Sequence, residues 1–284
     1  MLNVYFEADK EVICFCEQLF NYNKKIELFW KTHKDWGNHL QFEEQLPAHE
    51  LNEAIAHAMV EVFIAHRLNQ SIRTIIEEVF YFTNAEEIER ILDLTVWLVA
   101  GEDEDCQFLR ADIDLRQLLL SIFLTHIQDA RSIHFDSLVK FRINSFRGHL
   151  IQYVGLAIDE FKREEEHQEF VESLRKYVTR KESGMELIHV LQGETFSFFK
   201  ENGKRLSRME LRNIMQKEPL FLVGLNMEEW NLSPLVAMAP KKIKIYGEDP
   251  SEPKTLTVIN VFQEKVEFEP VDFFPFPQQL KKKP

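Results

Sequence analysis

The sequence predicts an α+β protein: a small N-terminal βαββ unit, a central helical bundle, and a C-terminal α/β unit with a hairpin and a mixed sheet. Three observations predict it. None of the ten prolines lies between Pro47 and Pro219, and glycine is sparse over that interval, so helices can run without breakers. Before Pro47, short runs rich in β-branched and aromatic residues flank one helical period. After Gly184, such runs return and alternate with short helical segments.

The elements follow in order. LNVYF (2–6) reads as a strand, and DKEVICFCEQLFNY (9–22) as a helix that opens on an aspartate. IELFWKTH (26–33) and NHLQFEE (38–44), joined across KDWG, read as a hairpin. Helices are expected over 48–68, 71–82, 85–100, 112–129, 135–161 and 164–180, with GEDED (101–105) as a polar loop. MELIHVL (185–191) and TFSFFK (195–200) flank QGE as a second hairpin. Ser207 with Glu210 forms a capping box that opens a helix at 208–216. A helix near 227–238, the strand KKIKIYG (241–247), a helix near 253–263 and the strand KVEFE (265–269) complete the series. These group as 1–46, 47–182, 183–270 and a Pro/Phe-rich, Lys-ended tail at 271–284.

Charge bounds the partners. The net charge of −13 opposes polyanions unless a basic patch overrides it. Residues 1–130 hold 10 Lys/Arg against 24 Asp/Glu, a net of −14; residues 131–284 hold 24 against 23, a net of +1. The acidic half is thus expected to be a solvated surface, or to dock on a basic partner or on the chain's own basic stripe. No basic-then-apolar leader opens the sequence, no apolar run reaches the roughly 20 residues of a spanning helix, and three cysteines make no disulfide framework. A cytoplasmic protein without cofactor is the expectation.

Few stretches suggest chemistry. Glu50, Glu53, His57 and Glu61 share one face of the helix 48–68, a spacing that binds metal inside a bundle. Leu51, Ala54, Ile55, Ala58 and Val62 occupy the other side, so the acidic stripe is expected to face solvent. Cys14 and Cys16 project to nearly opposite sides of a helix, and Cys106 sits among acids that disfavour its thiolate. Lys140, Arg142, Arg147 and His149 frame an apolar stripe instead of opposing it, which suits structural roles. REEEHQEF (163–170) reads as the start of a helix, where Glu165 and Glu166 suit the positive first turn. The better basic stripe is KRLSRMELRNIMQK (204–217), in which Arg205, Arg208 and Arg212 are the candidates for contact with an acidic partner or a phosphate backbone.

The later blocks resemble a known family. FRINSFRGHLIQYVGLAIDEFKREEEHQEFVESLRKYV (141–178), the hairpin segment ELIHVLQGETFSFFKENGKRLS with its N-G-K turn, then SPLVAMAPKKIKIYG and TVINVFQEKV are similar, in this order, to the YtxC-like sporulation proteins of endospore-forming bacteria. The resemblance covers residues 135–268. Some relatives carry cysteines just past the last strand; EFEPVDFFPF has none here, so no metal site is expected there. The resemblance implies a role in sporulation and supplies no catalytic residue. The expected function is therefore protein–protein contact without catalysis. The alternatives are nucleic-acid binding through Arg205, Arg208 and Arg212, and metal-dependent catalysis through Glu53 and His57.

Overall fold

The computed structural model describes residues 2–33, 37–43, 47–100, 114–128 and 130–280; Cys106, the 101–105 segment and the last four residues lie outside this range. The fold is α+β, with two four-stranded mixed sheets, and its packing divides into two units, residues 1–162 and 163–284.

In the first unit, β1 (Asn3–Phe6), α1 (Asp9–Tyr22), β2 (Leu28–His33) and β3 (Gly37–Phe42) form the βαββ segment. β3 inserts between β1 and β2 and runs antiparallel to both, so β1-α1-β2 is a split β-α-β arrangement. A fourth strand, β4 (Ser132–His134), joins the other edge of β1 in parallel, giving the order β2-β3-β1-β4. Strand alternation decides the faces. Val4, Phe6, Leu40, Phe42 and Ile133 are buried against α1, where the Phe6 and Phe15 rings lie 5.0 Å apart.

Behind α1 packs α2 (Ala48–His66), whose alanines let neighbours approach closely; it is buried along Leu51, Ala54, Ile55, Ala56, Ala58, Met59, Val60, Val62 and Phe63. α3 (Leu68–Glu78), α4 (Ala85–Ala100) and α5 (Leu115–Ile127) complete this core, which they share with the sheet. Glu11 of α1 is fully buried and accepts two hydrogen bonds from the Arg67 guanidinium, which also donates to Asp136 at the start of α6 (Phe135–Arg142). Asp136 Oδ2 accepts in turn from the Glu7 amide just past β1. This ionic link ties α1, the α2–α3 junction and α6 together behind the sheet.

α7 runs unbroken from Asn144 to Arg180, which corrects the expected helices 135–161 and 164–180. The interruption comes earlier, at Ile143 between α6 and α7. REEEHQEF is therefore the middle of a helix and not its start. Glu, Gln, Arg and Lys are strong helix formers, and no glycine or proline stands between 156 and 183 to stop the chain. Only the apolar stripe lapses: it contributes to the first core up to Phe161 and to the second from Val171 onward.

In the second unit, β5 (Leu187–Leu191) and β6 (Ser197–Lys200) make the expected hairpin, and β7 (Lys242–Gly247) and β8 (Val266–Pro270) extend it in parallel, in the order β6-β5-β7-β8. Ile188, Val190, Phe198, Ile243 and Ile245 share a core with Val171, Leu174 and Val178 of α7 and with α8 (Arg208–Met215), α9 (Ser233–Met238) and α10 (Pro253–Phe262). The capping box opens α8 as expected, with Ser207 Oγ accepting from the Glu210 amide and the Glu210 carboxylate accepting from the Ser207 amide. The helix expected from 227 is shorter, because Asn226 and Glu229 side chains engage backbone amides and hold 226–232 in turns before α9 begins.

The other face of this sheet is covered by the chain's own tail. Phe274 packs on Phe199 and Tyr246, and Phe276 packs edge-on to His189. Gly203, in the N-G-K turn, has φ +78°, and a Cβ there would stand 2.6 Å from the Phe276 ring. Glycine therefore serves both the turn and the seat of the tail.

Candidate functional site

Two surfaces stand out, one in each unit. The first is the outward face of the N-terminal sheet. Odd-numbered residues of β1, β2 and β3 point away from the core, and the strand register aligns Lys31, His39, Tyr5 and, on β4, His134 in one row across four strands. Their rings stack in parallel: Tyr5 lies 4.6 Å from His39 and 4.4 Å from His134, with interplanar angles of 4° and 7°. Such cross-strand ring pairs stabilise the sheet, and here they also hold each imidazole in a fixed plane.

Hydrogen bonds fix His39 further. Asn3 Nδ2 donates to the Arg131 carbonyl, so Asn3 Oδ1 faces His39 Nε2 at 2.9 Å and accepts its proton. That assignment makes Nδ1 the free nitrogen of His39. The row is anchored from the buried side by Asn38, which accepts from Trp30 Nε1 and Thr32 Oγ1 and donates to Asp9. Gly37 begins β3 at φ +70°, and a Cβ there would come within 2.4 Å of the Phe6 carbonyl.

A cavity of about 720 Å³ opens on this row, lined by Tyr5, Lys31, Thr32, His33, His39, Ser132 and His134. A smaller one, about 320 Å³, shares Ser132 and His134 and adds His126, Ser137, Phe141 and Arg142. Among the described residues no carboxylate lines either cavity. Sequence reasoning missed this face, and the shared period-2 alternation of β1 and β3 was its one local sign.

The second surface surrounds α9. Arg208 and Arg212 lie one turn apart on α8, but Arg205 does not continue their stripe. Arg205 instead pairs with Phe199 in a β-bridge beside β6, and its Nη2 donates to Ser197 Oγ. Arg208 lies over the Trp230 ring at 5.7 Å. Arg212 is exposed and has neither ion pair nor ring partner among the described residues. Met209 is 75% exposed on the same helix. A 3-10 turn, Leu220–Val223, packs on α9 as α8 does, and holds Phe221 and Leu222 at 76% and 69% exposure. Leu220 and Leu225 anchor that turn in the core, and Gly224 caps it at φ +74°.

The remaining candidates find structural partners. His57 stacks on Tyr22 at 5.2 Å, and Glu61 pairs with Arg116, so the acidic stripe of α2 lies at the surface as its spacing implied. Glu50 and Glu53 are exposed. Among the described residues no group of three or more His, Cys, Asp or Glu converges to hold a metal ion. Burial pushes the Cys16 thiol up to about 11; burial, followed by Glu17, raises that of Cys14. Lys140 lies over the Phe141 ring, while Arg147 is exposed and His149 half-buried on α7. Arg142 lines the smaller cavity.

The sequence pattern of the YtxC-like family matches residues 53–267. The chain belongs to the YtxC-like family. This YtxC-like chain is also 25% identical, over 96% of both chains, to the uncharacterized protein YtxC of Bacillus subtilis (strain 168). The match reaches beyond the blocks that carried the resemblance and takes in most of the first unit's helices. No solved structure matches the YtxC-like chain. Among the described residues, none of its helices is long and apolar enough to cross a membrane.

Proposed function

We propose that the chain serves sporulating cells as a cytoplasmic protein that acts through contact with another protein and performs no catalysis itself. The setting is what the resemblance of residues 135–268 implies. The observation that supports contact is the 3-10 turn at 220–223, which presents two adjacent large apolar side chains to solvent. Burying each against a partner would contribute about 1.5–3 kcal/mol. The neighbouring Arg208 and Arg212 add the cationic rim that suits an acidic partner face.

Crosslinking the tagged chain in sporulating cells tests this reading. One partner should be recovered with the wild-type chain and lost with Phe221→Ser/Leu222→Ser, whose thermal unfolding should match the wild type because both residues are already exposed. Equal recovery with the double variant contradicts the assigned surface. Wild-type sporulation by a deletion strain contradicts the setting.

A further inference from the structure

The outward sheet face of the first unit has no part in that reading. Its cavity of about 720 Å³ falls within the roughly 300–1,000 Å³ typical of small-molecule sites. Among the described residues it is lined by a lysine, three histidines and hydroxyl groups, without a carboxylate. Lys31 makes no ion pair, and the hydroxyls of Tyr5 and Ser132 make no hydrogen bond, among the described residues. Thr32 is different: its hydroxyl proton is committed to Asn38. The His39 and His134 imidazoles are pre-positioned by stacking, and His39 also by Asn3, so little ordering cost remains for a ligand there.

We propose that this face binds a small phosphorylated molecule through Lys31, His39 and His134, with Tyr5 and Ser132 donating hydroxyl hydrogen bonds. Charge complementarity selects an anion: a phosphate group carrying one proton can accept from the Lys31 ammonium, the His134 imidazole and the hydroxyls, and donate its own O–H to His39 Nδ1. Chelation of a metal is a poor fit, because the Tyr5 ring separates the two imidazoles. A long polyanion fits poorly as well. Among the described residues, Lys31 and Arg142 are the Lys or Arg that line the two cavities, against the roughly 6–10 phosphate contacts of a typical nucleic-acid binder. The second unit has its own basic stripe, and the sheet face does not depend on it.

The test is calorimetric titration of the full chain with inorganic pyrophosphate at low ionic strength, alongside nitrogen-detected spectra of the histidine rings. Saturable one-to-one binding is expected, with the His39 and His134 ring signals shifting together. Lys31→Ala should weaken binding by about tenfold or more, the size of losing one charged hydrogen bond, and His134→Ala about fivefold, the size of losing an ordinary one; both residues are exposed, so the fold is preserved. Lys176→Ala, on α7 in the second unit, should leave the affinity unchanged. Absence of saturable binding, or equal binding by Lys31→Ala, overturns the proposal. A single-stranded oligonucleotide that binds a hundredfold tighter than pyrophosphate, and loses that affinity in Lys31→Ala, also overturns it in favour of a nucleic-acid face.

Discussion

The two sheets each set a histidine against a tyrosine on the face turned away from their main core, and they differ in what covers the pair. In the second unit, His189 Nδ1 meets the Tyr246 hydroxyl at 3.0 Å, and Phe274 and Phe276 close over both rings. His189 is left 6% exposed, and burial, followed by the nearby Lys244 ammonium, lowers its pKa. In the first unit, Tyr5 stands between His39 and His134 beneath an open cavity, and His134 is exposed. The same ring chemistry thus builds a dry minor core in one sheet and a wet, cation-lined face in the other. Coverage decides which: the tail carries Phe274 and Phe276 back over β5 and β7, whereas β1 and β4 gain no such cover among the described residues.

The comparison breaks most severely if the open face loses its support from behind. Arg67→Leu leaves Glu11 charged and buried without its partner, and should cost about 3–5 kcal/mol in urea unfolding. It also takes from Asp136, at the start of α6 directly after β4, its ionic partner and leaves it only the Glu7 amide, so the Tyr5–His134 stack should loosen in ring-proton spectra. Next in size, Phe274→Ala removes a buried ring from the tail and should cost about 3 kcal/mol. It should leave the first unit's ring signals unchanged.

A smaller effect follows from His189. Its folded pKa lies below the ordinary imidazole value, so the folded state binds fewer protons than the unfolded chain. The stability this provides is present above the unfolded value of about 6.5 and is lost as pH falls from there toward the folded pKa. Urea midpoints of the second unit should therefore drop between neutral and mildly acidic pH, and His189→Gln should flatten that slope. The smallest effect tests a site remote from both ring pairs. Ser207→Ala removes half of the capping box and should cost about 1 kcal/mol. Glu210, held down to about 2 first by the Ser207 amide and then by Lys204, keeps its half of the box until strongly acidic pH.

Much of the fold was legible because it rests on local patterns. The βαββ segment, the 185–200 hairpin and the Ser207–Glu210 box each announce themselves within a few residues. The continuous α7 was not, because REEEHQEF interrupts the apolar stripe without interrupting the helix: solvated glutamates satisfy helical propensity while matching no core. The open sheet face was hidden for a different reason. Tyr5, His39 and His134 are distributed over 130 residues, and a three-residue parallel strand is what brings the last of them beside the first. The tail was equally obscure, since FFPFP carries no helix or strand period and acts through single rings placed by prolines and a 3-10 turn. Arg205 fell off its stripe because the chain returns along β6 before α8 begins.

Modification of histidines by diethyl pyrocarbonate, followed residue by residue by mass spectrometry, tests the contrast between the two faces most directly. In the intact chain His134 should react at the rate of an exposed imidazole and His189 far more slowly. Phe274→Ala/Phe276→Ala should bring His189 up toward His134. Equal rates for His189 and His134 in the intact chain, or a His189 rate that the double variant leaves unchanged, would contradict the account.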